Sequence, residues 1–157
     1  DLHSFPTRRS SDLHCPGCFN ESVWSFNSGY EFNSEWLALI REELESPYVT
    51  GISILGGEPF EPENAFGCLS LALLAHEYGK SVWAYSGYTY EELVGHHSIF
   101  DCVDLFLRQV DVLVDGPFVE EEKDISLSFR GSRNQRIIDV QKSLETGNVE
   151  VVKEYMD

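Results

Sequence analysis

An α/β fold with a parallel sheet of βαβ units is what this sequence predicts, and three observations carry the prediction. Short β-branched runs alternate with segments whose apolar residues recur at helical spacing. The runs VTGISIL (Val49–Leu55) and DVLV (Asp111–Val114) are nearly continuously apolar, as strands covered on both faces are. Each strand leads into a glycine-bearing turn, GGEP, YSGY or VDGPF, and right-handed crossovers place such turns along one edge of a sheet. The sheet is expected to be open or curled into part of a barrel, with ligands at the C-terminal ends of its strands.

Asn33 or Ser34 is placed to cap a helix from Glu35 to about Glu45, with Trp36, Leu37, Ile40 and Leu44 as its apolar stripe and Pro47 beyond its end. The strand Val49–Leu55 follows and runs into Gly56–Pro59. From Glu63 to Glu77 the residues Ala65, Phe66, Leu69, Leu73 and Leu74 keep helical period, and Gly79 stands as the stop. SVWAY (Ser81–Tyr85) reads as a second strand. After the SGY turn, Thr89 and Glu92 make a capping box for a short helix to about Val94. A further helix is expected from about Ile99 to Gln109, then the strand Asp111–Val114. From Glu120 onward the pattern is irregular, with a strand at Ile137–Val140 and a charged tail.

With 157 residues, 42% of them hydrophobic, the chain suits a single domain with one core. The formal charge of −16, with no Lys/Arg block to offset it, argues against nucleic acid and anionic membranes as partners. No run approaches the ~18 apolar residues of a membrane span, and the N-terminal stretch lacks the apolar core of a secretory signal, so a cytoplasmic protein is expected. Four cysteines are too few for a disulfide scaffold at this length. Cys68 and Cys102 lie among apolar residues and read as inert core thiols. Cys15 and Cys18 form CPGC, whose spacing serves zinc, a thiol–disulfide site or part of an iron–sulfur cluster alike.

The motifs around that pair are more specific. HCPGCFNESVW, then ILGGEPFEPEN, WAYSGYTYEEL, VDVLVDGPF and SFRGSRNQRIIDV, in unbroken order from His14 to about Val140, resemble the activating proteins of anaerobic ribonucleoside-triphosphate reductases. These belong to the radical S-adenosylmethionine superfamily. The resemblance implies a partial, incomplete TIM-like barrel of the radical SAM type, a four-iron four-sulfur cluster, and S-adenosylmethionine cleaved reductively to a 5′-deoxyadenosyl radical. That radical takes a hydrogen from a glycine of the large reductase subunit. An external one-electron donor such as flavodoxin is implied as a second partner.

The superfamily signature CxxxCxxC supplies three thiolates and leaves the fourth iron open. Carried over by position, Cys15 and Cys18 are the second and third ligands, and the first falls on Ser11. Serine is a poor substitute, since its hydroxyl is hardly ionised near neutral pH and oxygen is a harder donor than sulfur. HSFPTRRSSDL (His3–Leu13) looks like a translated sequencing-adapter oligonucleotide. The expectation is therefore that residues 1–13 are a foreign or disordered segment, that residues 14–157 form one N-terminally truncated radical SAM domain missing its first strand, and that the chain as written is impaired.

Gly17, Cys18 and Phe19 are expected beside the cofactor, with Phe19 packing on the adenine, covering the cluster or filling the core. Gly56 and Gly57 allow backbone close to a ligand, and Glu58 is placed to accept from an ammonium. Tyr85 and Ser86 are further candidates for the pocket, and Asp115 with Gly116 for its wall or for a plain turn. Arg130, Arg133 and Arg136 read as a basic patch for the cofactor carboxylate or the large subunit, or as partners in local ion pairs. His14, His76, His96 and His97 show no metal-ligand spacing. Activation of another glycyl-radical enzyme such as pyruvate formate-lyase, or a CxxC redox or zinc module, are the alternative readings.

Overall fold

The computed structural model describes residues 32–95 and 101–156. Four strands form one sheet in the order β1 (Gly51–Ile54), β2 (Ser81–Tyr85), β3 (Val112–Asp115), β4 (Arg136–Asp139). The first three are parallel, with Ile54 beside Ala84 and Ala84 beside Leu113. β4 departs from the expected all-parallel arrangement: it runs antiparallel to β3, pairing Asp115 with Arg136 and Val112 with Asp139. Between β3 and β4 the chain forms only a single 3-10 turn, Glu120–Glu122, and no α-helix that would carry a crossover to a parallel strand.

The helices are α1 (Ser34–Leu44), α2 (Pro62–Glu77), α3 (Tyr90–Gly95), α4 (Cys102–Gln109) and α5 (Val140–Thr146). The Asn33 side chain caps α1 by accepting from the amides of Glu35 (3.0 Å) and Trp36 (3.3 Å). The Thr89–Glu92 box opens α3, the carboxylate taking the Thr89 amide at 2.7 Å. The helix expected from Ile99 begins instead at Cys102, because Asp101 is extended and caps the Asp104 amide at 2.8 Å. Residue 99 itself lies outside the described residues.

α2 corrects the expected buried face. Phe66 and Leu73 are 68% and 50% exposed, while Ala65, Cys68, Leu71, Ala72, Leu74 and Ala75 are buried. The helix is apolar around most of its circumference, so periodicity fixes its phase weakly, and small alanines let it lie close to the sheet. α5 was not expected at all. Its caps were nonetheless in the sequence: Asp139 accepts from the Lys142 amide, and Gly147 closes the helix in the left-handed conformation.

Ile52, Ile54, Val82, Ala84, Leu113 and Ile138 share one core with Ile40, Leu44, Leu71, Leu74, Phe106 and Leu107. α1, α2 and α4 therefore cover the same face of the sheet. The opposite face carries Ser53, Trp83 and Tyr85, and Trp83 meets the rings of Phe129 and Tyr155 at 5.1 and 5.7 Å. Chain from the C-terminal region also covers the outer edge of β4, where Val152 donates to Ile137 O (2.8 Å) and Asp139 to Glu150 O (2.8 Å). Phe60, one residue past the GGEP turn, packs on Phe106 of α4 with centroids 4.7 Å apart, so that turn is anchored in the core.

Candidate active site at the strand ends

Because β1, β2 and β3 are parallel, the turns that leave them emerge at one edge, and antiparallel β4 starts there. Gly56 has φ +119° and Gly116 φ +95°, values that residues with a Cβ rarely adopt. Among the described residues an added Cβ at Gly56 would meet nothing within 4 Å, so the glycine serves the turn's direction.

Three ties lace this edge. The first is Glu58: Oε1 accepts from the Phe60 amide (3.1 Å) and the Ser86 hydroxyl (2.8 Å), and Oε2 from the Gly87 amide (2.8 Å). Its carbonyl accepts from Asn64 Nδ2 at 2.8 Å. Alongside, the Tyr88 hydroxyl donates to Glu61 at 2.6 Å. The second tie joins the turns after β2 and β3: Gly116 N donates to Tyr88 O (3.0 Å) and Tyr90 N to Asp115 Oδ2 (2.7 Å). In the third, Arg136 Nε donates to Asp115 Oδ1 at 3.1 Å, while its terminal nitrogens grip both oxygens of Glu91 at 3.1 and 2.7 Å.

The electrostatics follow from burial. Glu58 is only 3% exposed, and burial pushes its carboxyl up to about 7 against the pull of the Gly87, Ser86 and Phe60 donors. Burial, helped by the Glu58 charge, pushes the Cys68 thiol up to about 12, which fits an inert core cysteine. Burial also holds the Tyr85 hydroxyl above its ordinary value. The folded chain holds a proton on Glu58 between about 4.5 and 7 that the unfolded chain has released. Stability is therefore expected to fall as pH rises through that window, by up to about 3 kcal/mol, and to level off above it. Urea unfolding between pH 4.5 and 8 checks this against Glu58→Gln, which should flatten the profile.

Gly56, Gly57, Glu58, Tyr85 and Ser86 thus come together at one edge, with Asp115 and Gly116 beside them. Arg133 and Arg136 take part in local ion pairs, and Arg130 binds backbone carbonyls instead. Arg136 is paired as above, Arg133 binds Asp124 at 2.8 Å, and Arg130 donates to the carbonyls of Gln135 (2.8 Å) and Met156 (2.7 Å). His76 sits at the other edge, its ring nitrogens 3.2 Å from Gln109 Oε1 and Asp111 Oδ2. Ser11, His14, Cys15, Gly17, Cys18, Phe19, His96 and His97 lie outside the described residues. Among the described residues no three His, Cys, Asp or Glu are grouped to hold a metal, and no helix is long and apolar enough to cross a membrane. Glu61, Asn64 and Tyr88 were missed. The signal was the three-residue spacing of Glu58, Glu61 and Asn64, which sets polar groups along one side of an otherwise buried turn.

Residues 9–138 match the family model described as a 4Fe-4S single cluster domain. The anaerobic ribonucleoside-triphosphate reductase-activating proteins of Salmonella typhimurium and Escherichia coli K12 are each 40% identical over 125 residues, 77% of both chains. The protein of that name from Enterobacteria phage T4 is 30% identical over 128 residues, 80% of this chain and 76% of its own. No solved structure matches.

Proposed function

The chain belongs to the family of anaerobic ribonucleoside-triphosphate reductase-activating proteins, and we propose that the laced strand edge is where its S-adenosylmethionine binds. It is an activating enzyme, with a 4Fe-4S cluster and S-adenosylmethionine as its cofactors. When bound, these supply a one-electron cleavage whose adenosyl radical generates the glycyl radical on the reductase, the partner that the relatives' name implies.

The observation that supports the site best is the Glu58 tie, which brings Gly56 and Gly57 beside Ser86 and Gly87. There the turn after β1 offers exposed backbone to the polar methionyl end of the cofactor. Tyr85, half-buried at the end of β2, walls the site and limits water. The cluster is assigned to Cys15 and Cys18, and Gly17 and Phe19 to its surroundings, on the sequence pattern alone. Among the described residues nothing fills the space beside Gly56, which leaves room for a ligand at this edge.

A partial barrel is the reading of the sheet that we favour. Strand order 1-2-3 follows the chain, and α2 and α4 lie on the same face, which is the winding of a barrel and not of a doubly wound sheet. The face bearing Ser53, Trp83 and Tyr85 would then be the inner one. The electron enters from an external donor of the flavodoxin kind.

Anaerobic reconstitution of the chain carrying Ser11→Cys with iron and sulfide, then incubation with S-adenosylmethionine, reductant and candidate large subunits, tests the function. Expected are visible iron–sulfur absorbance, 5′-deoxyadenosine, and a glycyl-radical resonance on the reductase subunit. A resonance on pyruvate formate-lyase alone would overturn the choice of partner. Lack of iron–sulfur absorbance, with zinc bound or a reversible disulfide instead, would overturn the enzyme reading.

A further inference from the structure

We propose that Glu58 serves the cofactor site as a positioning residue, fastening the Gly56–Gly57 turn to the Ser86–Gly87 turn, and that its carboxylate does not touch the cofactor. The proposal rests on the reading of this edge as the S-adenosylmethionine site. The β1–β2 pairing ends at Ile54 and Ala84. Beyond that pair, Glu58 accepts hydrogen bonds from the second turn, and Tyr88 donates to Glu61. The Glu58 side chain is buried, and each of its oxygens already faces a donor: Phe60 N and Ser86 Oγ on one, Gly87 N on the other. Ser86 Oγ accepts in turn from Tyr88 N at 3.0 Å, so the tie continues into the second turn.

Above about pH 7, where Glu58 is ionised, the tie uses two acceptor oxygens. Phe60 and Gly87 present backbone N–H groups that can only donate, and they address different oxygens. A glutamine of the same shape must turn its NH2 toward one of them and lose that bond. Glu58→Gln therefore loosens the tie while nearly preserving volume. What loosens is the spacing of the two turns, and displacements of about 1 Å at a reacting site change rates and affinities up to about a hundredfold.

The test measures S-adenosylmethionine affinity by equilibrium dialysis on the full chain carrying Ser11→Cys, reconstituted with iron and sulfide, together with amide exchange at Gly87. Leu44→Ala is the control, since Leu44 is a buried core residue at the end of α1 away from this edge. Glu58→Gln is expected to weaken S-adenosylmethionine binding about tenfold and to speed Gly87 exchange, and Ser86→Ala to do the same less strongly. Leu44→Ala is expected to lower stability and leave the affinity within about twofold.

A deaminated S-adenosylmethionine analogue separates positioning from direct contact. It should suffer the same loss in Glu58→Gln as the cofactor does; a loss that disappears with the analogue means that Glu58 binds the ammonium, and overturns the proposal. Unchanged affinity in Glu58→Gln, or an equal loss in Leu44→Ala, overturns it as well. If the parent chain, with its cluster formed, binds no S-adenosylmethionine while Gly87 exchange still responds to Glu58→Gln, the site reading itself has failed.

Discussion

Ser11→Cys is expected to raise the iron bound after anaerobic reconstitution to about four per chain and S-adenosylmethionine cleavage at least about tenfold over the chain carrying serine. The substitution completes CxxxCxxC with Cys15 and Cys18. A third thiolate replaces a hydroxyl that is hardly ionised near neutral pH, and soft sulfur suits iron far better than that oxygen does. Iron and acid-labile sulfide analysis, with 5′-deoxyadenosine measured by chromatography, gives both readouts. Equal iron and equal cleavage in the two chains would remove Ser11 from the ligand position.

Arg136→Met is expected to destabilise the fold by about 3 kcal/mol, because it strands a carboxylate that cannot reach water. Asp115 is 1% exposed, and Arg136 grips both of its oxygens. Asp115 and Glu91 together hold the guanidinium above its ordinary value, and Arg136 holds the Glu91 carboxyl below its own. Removing the exposed partner is a different matter: Glu91→Gln should cost less than about 1 kcal/mol, as surface pairs do. Asp115→Asn introduced with Arg136→Met should recover part of the loss, since a neutral amide is cheaper to bury than an unpaired charge. Urea unfolding with unchanged slope measures all three. A loss below 1 kcal/mol for Arg136→Met would mean that the Tyr90 amide and surrounding water suffice for Asp115.

Local grammar made the first two-thirds of the fold legible. Asn33, Thr89 with Glu92, and Gly79 are caps whose chemistry acts within a few residues, and β2 appears with its expected bounds. The later part depends on distant partners. Arg136–Asp139 is a strand because β3 and the Glu150–Val152 segment lie on its two sides, and nothing local says that it runs antiparallel. The site divides in the same way. Gly56, Gly57, Tyr85 and Ser86 could be placed at one edge because strand-end turns converge in parallel sheets. That Glu58 turns inward could not be read, since its partners beyond the turn are 28 and 29 residues away. The arginine cluster looked like a surface patch for the same reason: its carboxylates come from Glu91, Asp115 and Asp124.

Those separations have a consequence for how the molecule is made. Glu58 lies 28 residues from Ser86, Tyr90 lies 25 from Asp115, and Asp115 lies 21 from Arg136. Each of these three bonds joins one strand end to the next in chain order, so its loop entropy stays modest, and only the Arg136–Glu91 pair, 45 residues apart, reaches further back. A nascent chain that has cleared the ribosome past Tyr88 holds both halves of the first fastening, and every later one completes as the next strand arrives. The strand edge can thus be assembled during translation from the GGEP turn toward Arg136.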